Sequence, residues 1–300
     1  MGKIDKSNMT MKEIMATFNQ TEEALMVMDE VEFRARFRER MHHTCEIQMY
    51  SAAYRGNTLP ASQTDTINKH LSIWEARGLS RDLPEYVTAK LLLKYAETLQ
   101  AGRHVNLSEY APSVISEYDL DAFRRIIYER RSVREWDLSR EVPDELIDKI
   151  LDMGLWGAHA CNLQSIRYIV IRGQNDGGLF RGSDIPGGPV HILILQDMRV
   201  YRANPAMPDV NQPLDCGAAG QNIVLAAHAY GLGGCWLTFM GGEEMKTRIR
   251  KQVDEWLTAQ GKEPLHEEIE LITYVDVGWP DQTPFPPYRQ SLDEAVLGRF

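Results

Sequence analysis

Asp121-Ala122-Phe123-Arg124-Arg125-Ile126-Ile127-Tyr128-Glu129-Arg130-Arg131-Ser132-Val133-Arg134 is the stretch on which the reading of this 300-residue chain turns. Its first nine residues carry apolar side chains at helical spacing. Its last five set Arg130, Arg131 and Arg134 beside the hydroxyl of Ser132, a group that suits a phosphate because arginine forks bind oxyanions two oxygens at a time. A solvated basic helix end has the same composition, since the last turn of a helix favours cations. The stretch is also a divide. Before it the sequence reads as helical, and after it short strands alternate with helices.

Upstream, Thr10-Met11-Lys12-Glu13 has the form of a capping box and opens a short helix to about Phe18. A longer helix is expected from about Thr21 to Tyr54, from the spacing of Leu25, Met28, Val31, Phe33, Phe37 and Met41, with Arg55-Gly56-Asn57 as its stop. Thr64-Asp65 opens another, closed by Gly78. Pro84 starts a helix that is apolar nearly all round, a pattern of full burial, ending near Gly102. Residues 106–118 read as a linker, so the expected organisation is an all-α region over 1–117 and a second domain over 118–300. His42, His43 and Cys45 invite a metal site, but adjacent helical residues point about 100° apart. A polar helix face is the expectation there, with no metal, and the lone His70 and His104 are read the same way.

Downstream, Val142-Pro143-Asp144-Glu145 opens a helix with proline and acids in its first turn, running to about Trp156. Arg167–Ile171 is a strand, followed by a Gly- and Asp-rich loop through Gly188. Val190–Leu195 is a second strand, placed centrally. A polar connection, Arg199 to Pro213, leads to an alanine-rich helix, Leu214 to Tyr230, whose small residues permit close approach. Cys235–Phe239 reads as a strand, Glu243–Leu257 as a helix and Glu268–Val277 as a strand. The order is mixed rather than a regular βαβ repeat, which makes the fold class α+β.

Composition bounds the rest. At 43% hydrophobic the chain can bury a large core. A formal net charge of -10 and a pI near 5.4 argue against nucleic acid as a partner. Cys45, Cys161, Cys216 and Cys235 lack C-x-x-C spacing, so free thiols are expected rather than zinc or disulfides. The polar start, Met1-Gly2-Lys3-Ile4-Asp5-Lys6, is not a signal peptide, and no apolar run reaches the length of a membrane span. A cytoplasmic protein, not associated with membrane, is the expectation.

Four pieces, in order, resemble the nitroreductase family of flavoproteins over about residues 120–300. They are Arg130-Arg131-Ser132-Val133-Arg134-Glu135-Trp136; Gly157-Ala158-His159-Ala160-Cys161-Asn162-Leu163-Gln164-Ser165-Ile166-Arg167-Tyr168; Asp215–Asn222 leading to Gly231-Leu232-Gly233-Gly234-Cys235-Trp236; and Gly278-Trp279-Pro280 with Pro286–Glu294. The resemblance implies a three-layer α/β/α fold with a mostly antiparallel central sheet, and FMN as cofactor. It places the FMN phosphate on Arg130, Arg131, Ser132, Arg134 and Arg289, and the flavin ring beside His159, Ala160, Asn162, Gln164, Trp236, Leu237 and Thr238. Thr238 is the expected backbone donor to flavin N5, which would tune the cofactor's electronics.

The resemblance further implies a homodimer with flavin sites at its interface, and ping-pong hydride transfer from NAD(P)H to a small organic acceptor, nitroaromatic or quinone-like. The alternatives are a flavin-dependent dehydrogenase or oxidase of a biosynthetic intermediate, and a non-catalytic flavin-binding interaction protein. Two departures stand out: Ala158-His159 replaces Pro-Ser, and Ser165-Ile166 replaces Pro-Trp. His159 is then a candidate proton donor or substrate anchor, or else a hydrogen-bonded spacer. The connection Arg172–Pro189 is short for the family, which usually places there a helix that contacts the pyrimidine ring, and Arg199–Pro213 is too short for the lid helices of its larger members. The N-terminal helices are therefore expected to pack over the flavin cleft or over its dimer partner, and to shape the substrate pocket.

Overall fold

The structure, a computed structural model, describes residues 9–18, 20–183 and 187–300; the polar start at Met1 to Lys6 lies outside them, as does part of the Arg172–Pro189 connection. The N-terminal helices are α1 (Met11–Ala16), α2 (Glu22–Val27), α3 (Glu30–Arg40), α4 (Ile47–Arg55), α5 (Ala61–Ala76) and α6 (Pro84–Gln100), with a π-helical turn at Met41–Glu46. The Thr10–Glu13 capping box forms, each backbone N–H donating to the other's side chain. The single helix expected from Thr21 to Tyr54 does not. Met28 is extended, and Asp29 opens α3 by accepting the Glu32 N–H at 3.0 Å. α5 begins at Ala61, ahead of Thr64. α6 buries one stripe, Ala89, Leu93 and Ala96, and leaves Val87 55% exposed, because a small helical layer has only one side to cover. Phe33, Phe37, Ile67 and Trp74 form its core, to which no described residue beyond Leu99 contributes.

After an exposed connection comes α7 (Glu117–Glu129), started by a Ser116–Asp119 capping box, and then α8 (Asp144–Leu155). The strands β1 (Ile166–Arg172), β2 (Val190–Asp197), β3 (Gly233–Leu237) and β4 (Ile269–Gly278) make one sheet in the order β1-β2-β4-β3, antiparallel throughout. β2 is buried at every position, as an inner strand covered on both faces must be. α8 and α9 (Asn211–Ala229) cover one face around Ile150, Ile192, Ile223 and Val275. α10 (Gly242–Ala259) covers the other around Leu193, Ile249 and Tyr274. The fold is the expected α+β, three-layer arrangement, preceded by helices.

The Arg199–Pro213 connection is more ordered than a polar loop. It carries a 3-10 segment, Met198–Ala203, and α9 starts at Asn211 with Pro213 in its first turn, where a missing N–H costs nothing. α3 lies on this segment. Ala35, fully buried, packs with Leu163, Val200 and Tyr201, and its small side chain lets the two backbones come close. Arg199 Nη1 reaches Asp29 at 3.0 Å and Arg202 Nη1 reaches Glu32 at 2.7 Å. These contacts fix the helical region against the part of the chain that carries the second motif.

Candidate active site

The basic stretch is threaded between β3 and the segment after β4. Val133 N–H donates to Gly234 O at 3.3 Å, Arg134 N–H to Gln282 Oε1 at 2.9 Å, and Asp281 N–H to Glu135 O at 3.0 Å. Threading from both sides explains how the late Arg289 comes to share a place with residues 130–134. Burial, then Arg289, then Arg131 lower the pKa of the Arg130 guanidinium. Ser132, Arg134 and Arg130 all act on the Cys235 thiol, whose pKa burial raises. Among the described residues, no carboxylate lies within ion-pair distance of Arg130, Arg131, Arg134 or Arg289. Arg131 and Arg289 donate to backbone carbonyls, at 2.7 Å to Tyr128 O and 2.6 Å to Tyr288 O. An uncompensated cluster of cations in a chain of net charge -10 is suited to an anion such as a phosphate.

The second motif forms a tight loop with unusual backbone. Cys161, Asn162 and Gln164 have φ of 50°, 51° and 58°, a left-handed conformation that costs non-glycine residues and persists only where the surroundings impose it. Here they do, from two directions. On one side Ala160 N–H donates to Asp215 Oδ1 at 3.0 Å, at the start of α9, and Arg167 Nη1 donates to Gln164 O at 2.9 Å. On the other, the N-terminal helices reach in. Arg38 Nη2 donates to Leu163 O at 2.8 Å, and His43 Nε2 lies 3.8 Å from Cys161 Sγ while its Nδ1 meets Glu39 Oε1 at 2.6 Å.

Asp215 is the hub beneath this loop. It is 2% exposed, and Tyr201 Oη donates to its Oδ2 at 2.6 Å. Ser165, which stands where the family carries proline, is fully buried with its hydroxyl 2.8 Å from Tyr201 Oη. That departure therefore has a structural use: the hydroxyl joins a buried polar network that only a polar side chain satisfies. His159 sits at the rim. Burial lowers its pKa from the ordinary value, and the Asp215 carboxylate pulls the other way. Its Nε2 is buried without a hydrogen-bond partner.

β3 carries the third group. Trp236 lies across Gly220 of α9, where a Cβ would stand 2.8 Å from the indole, and its Nε1 donates to Thr273 Oγ1 at 2.7 Å. Leu237 turns into the core beside Val133 and Trp136, and Thr238 follows, exposed. Within one chain the structure gathers Arg130, Arg131, Ser132, Arg134 and Arg289, and separately His159, Ala160, Asn162 and Gln164. No hydrogen bond or ion pair joins the two groups among the described residues.

Sequence reading missed a further wall. A cavity of about 640 Å³ opens beside the loop, lined by Arg34 and Arg38 of α3, Glu85 of α6, and Trp156, His159, Asn162, Gln164 and Arg167. Its N-terminal residues have no distinguishing motif. Only the 3.6-residue period that puts Arg34 and Arg38 on one helix face could have paired them. Elsewhere, His70 is buried and stacked on Phe37, His42 meets Glu46, and no group of three possible ligands for a metal is found among the described residues. Among them too, no helix is long and apolar enough to cross a membrane, and all four cysteines are free.

Comparison with known proteins bears on the same part of the chain. Residues 127–180 and 177–266 match the sequence model of the nitroreductase family. A Methanothermobacter thermautotrophicus protein, provisionally named an NADH dehydrogenase/NAD(P)H nitroreductase, is 28% identical over 207 residues, covering 65% of this chain and 98% of its own. A nitroreductase-like protein of Streptococcus mutans shares the fold with a TM-score of 0.50 at 16% identity, over 60% of this chain and 100% of that one. A provisionally named nitroreductase of Desulfovibrio desulfuricans, solved in complex with FMN, is 27% identical over 59% of this chain and 96% of that one, with a TM-score of 0.46.

Proposed function

The C-terminal part of this chain, where that match lies, belongs to the nitroreductase family, and from this we propose an FMN-dependent oxidoreductase that uses NAD(P)H to reduce a small organic acceptor, nitroaromatic or quinone-like. The observation that carries the reading is the arginine cluster without a carboxylate partner at the start of β3. Arg130, Arg131, Arg134 and Arg289, with the Ser132 hydroxyl, would hold the FMN phosphate. His159, Ala160, Asn162 and Gln164, with Trp236, Leu237 and the Thr238 backbone, would line the ring. Bound there, FMN supplies a two-electron carrier, so that NAD(P)H oxidation and acceptor reduction take turns at one place. The residues' own part is to place the cofactor, neutralise its phosphate and exclude water. A depressed pKa makes His159 a neutral hydrogen-bonding group rather than a standing proton source.

The separation of the two residue groups within one chain also supports a homodimer in which each site draws on both copies. Exposed apolar surface points the same way. No residue of α7 is buried, and Phe285, Tyr288 and Leu297 are each more than 90% exposed, more than an isolated chain usually leaves to water.

Reconstitution tests the cofactor assignment. The purified chain should retain FMN far better than riboflavin, which lacks the phosphate, and Arg130→Ala or Arg289→Ala should weaken FMN about tenfold to a hundredfold, as expected for loss of a charge-assisted contact. The bound flavin should bleach with NAD(P)H and recover its colour with a quinone. A colourless chain that takes up no FMN would overturn the proposal. A chain that binds FMN but is never bleached would favour the non-catalytic flavin-binding alternative.

A further inference from the structure

The cavity between the N-terminal helices and the 159–164 loop has a composition that the proposed flavin chemistry does not use. Its deep end is cationic. Arg38 is 8% exposed; its Nη1 meets Glu85 Oε1 and its Nη2 donates to Leu163 O, but its Nε is buried with no partner. Arg34 holds both oxygens of the same Glu85, at 3.0 and 3.2 Å, with Glu30 farther off at 3.5 Å, so one buried carboxylate serves two guanidiniums. Arg167 adds a third. Its nearest acid, Asp197, lies 3.7 Å away and is already gripped by Arg199 at 2.7 and 2.8 Å. A second unpartnered buried nitrogen, His159 Nε2, is in the same wall.

Buried polar atoms without partners are rare and costly in proteins. Arg38 Nε requires an acceptor and His159 Nε2 a donor or an acceptor according to its tautomer, and two such atoms in the wall of one cavity mark a place for a polar ligand. The lining holds three guanidiniums, Arg34, Arg38 and Arg167, and two carboxylates, Glu85 and Asp152, and the excess of guanidinium says that the ligand is anionic. The mouth is different in kind: Trp156, 82% exposed, and Leu155, 51% exposed, are large apolar side chains left open to water at the rim. Volume and lining both fit a small molecule with a flat apolar body and one charged end.

We propose that this cavity binds the acceptor, and that the acceptor is an aromatic or similarly conjugated carboxylate. Its carboxylate is received by Arg38 with Arg34 and Arg167, and its ring lies toward Trp156. Selection of the acceptor by charge is then the contribution of the N-terminal helices, which supply Arg34, Arg38 and Glu85. The role of the ligand as acceptor rests on the oxidoreductase reading above. The binding itself does not.

Two measurements on the purified full-length protein separate these. In isothermal titration calorimetry, benzoate should bind at least tenfold more tightly than benzyl alcohol, and Arg38→Met should abolish that difference. Arg34→Met, at a more exposed position, should reduce it at least severalfold and serves if Arg38→Met does not fold. In turnover with NAD(P)H, the kcat/KM ratio of 4-nitrobenzoate to nitrobenzene should be at least ten and should fall towards one in the same variants. Benzoate binding no better than benzyl alcohol, or a preference that the arginine variants leave intact, would overturn the proposal. Selective benzoate binding without reduction of either nitro compound would uphold the anion site and sink the reductase reading instead.

Discussion

Gly154, near the end of α8, shows how much of the packing around the loop depends on single atoms. A Cβ there would stand 2.6 Å from Tyr168 Oη and 2.9 Å from Ile223 Cγ1, so β1, α8 and α9 meet at a point with no space for a methyl group. Gly154→Ala should destabilise the chain by about 1–3 kcal/mol through overpacking, read as a lowered urea midpoint. An unchanged midpoint would mean that Tyr168 moves aside freely. At this scale the sequence was informative where chemistry is local and silent where it is not. Arg130, Ser132 and Arg134 stand within one short run, and their grouping survives in the structure. The convergence of Arg38, Arg167 and His159 depends on residues more than a hundred positions apart, and no spacing rule reaches that far.

Among elements, the break between α2 and α3 has the greatest consequence. Asp29 caps α3 by accepting the Glu32 N–H, a local device to which the apolar period, the basis for expecting one helix, is blind. The break lets Asp29 and Glu32 meet Arg199 and Arg202, which one straight helix would have prevented. Strands were legible because β2 and β4 are runs of branched apolar residues, whereas the start of α9 was blurred by Pro213 in its first turn. α5 packs back on α3 through His70, stacked on Phe37 at 5.5 Å. Burial lowers its pKa from 6.5 to about 4. The unfolded chain therefore takes up this proton at a higher pH than the folded one. The stabilisation is complete above pH 6.5 and is lost as pH falls towards 4, by roughly 3 kcal/mol at most. His70→Phe should flatten the decline of the urea midpoint between pH 7 and pH 5. An equal decline in both proteins would remove His70 from the account.

For the whole molecule, the apolar core of the helices and those on the two faces of the sheet are joined by an exposed connection and by a contact surface that combines ion pairs with the packing of Ala35 on Leu163, Val200 and Tyr201. Such a surface need not be strong, because the connection makes docking intramolecular and holds the partners at an effective concentration in the millimolar range. A protease site placed between Ala111 and Pro112 should, after cleavage, leave fragments that co-elute when concentrated and part on dilution into the low micromolar range. Immediate separation at any concentration would show that the junction contributes little. That the sequence joins an α-helical region to an α+β fold could be read from periodicity alone. What the helices are for could not, since it lies in where they dock. One detail of that docking reaches beyond this molecule. Arg38 grips the loop by the carbonyl of Leu163, an atom every amino acid carries, so the grip does not depend on which side chain stands at 163. Leu163 itself is held by packing against Ala35, but the side chains of His159, Asn162 and Gln164, which line the cavity, can be exchanged without loosening that bond.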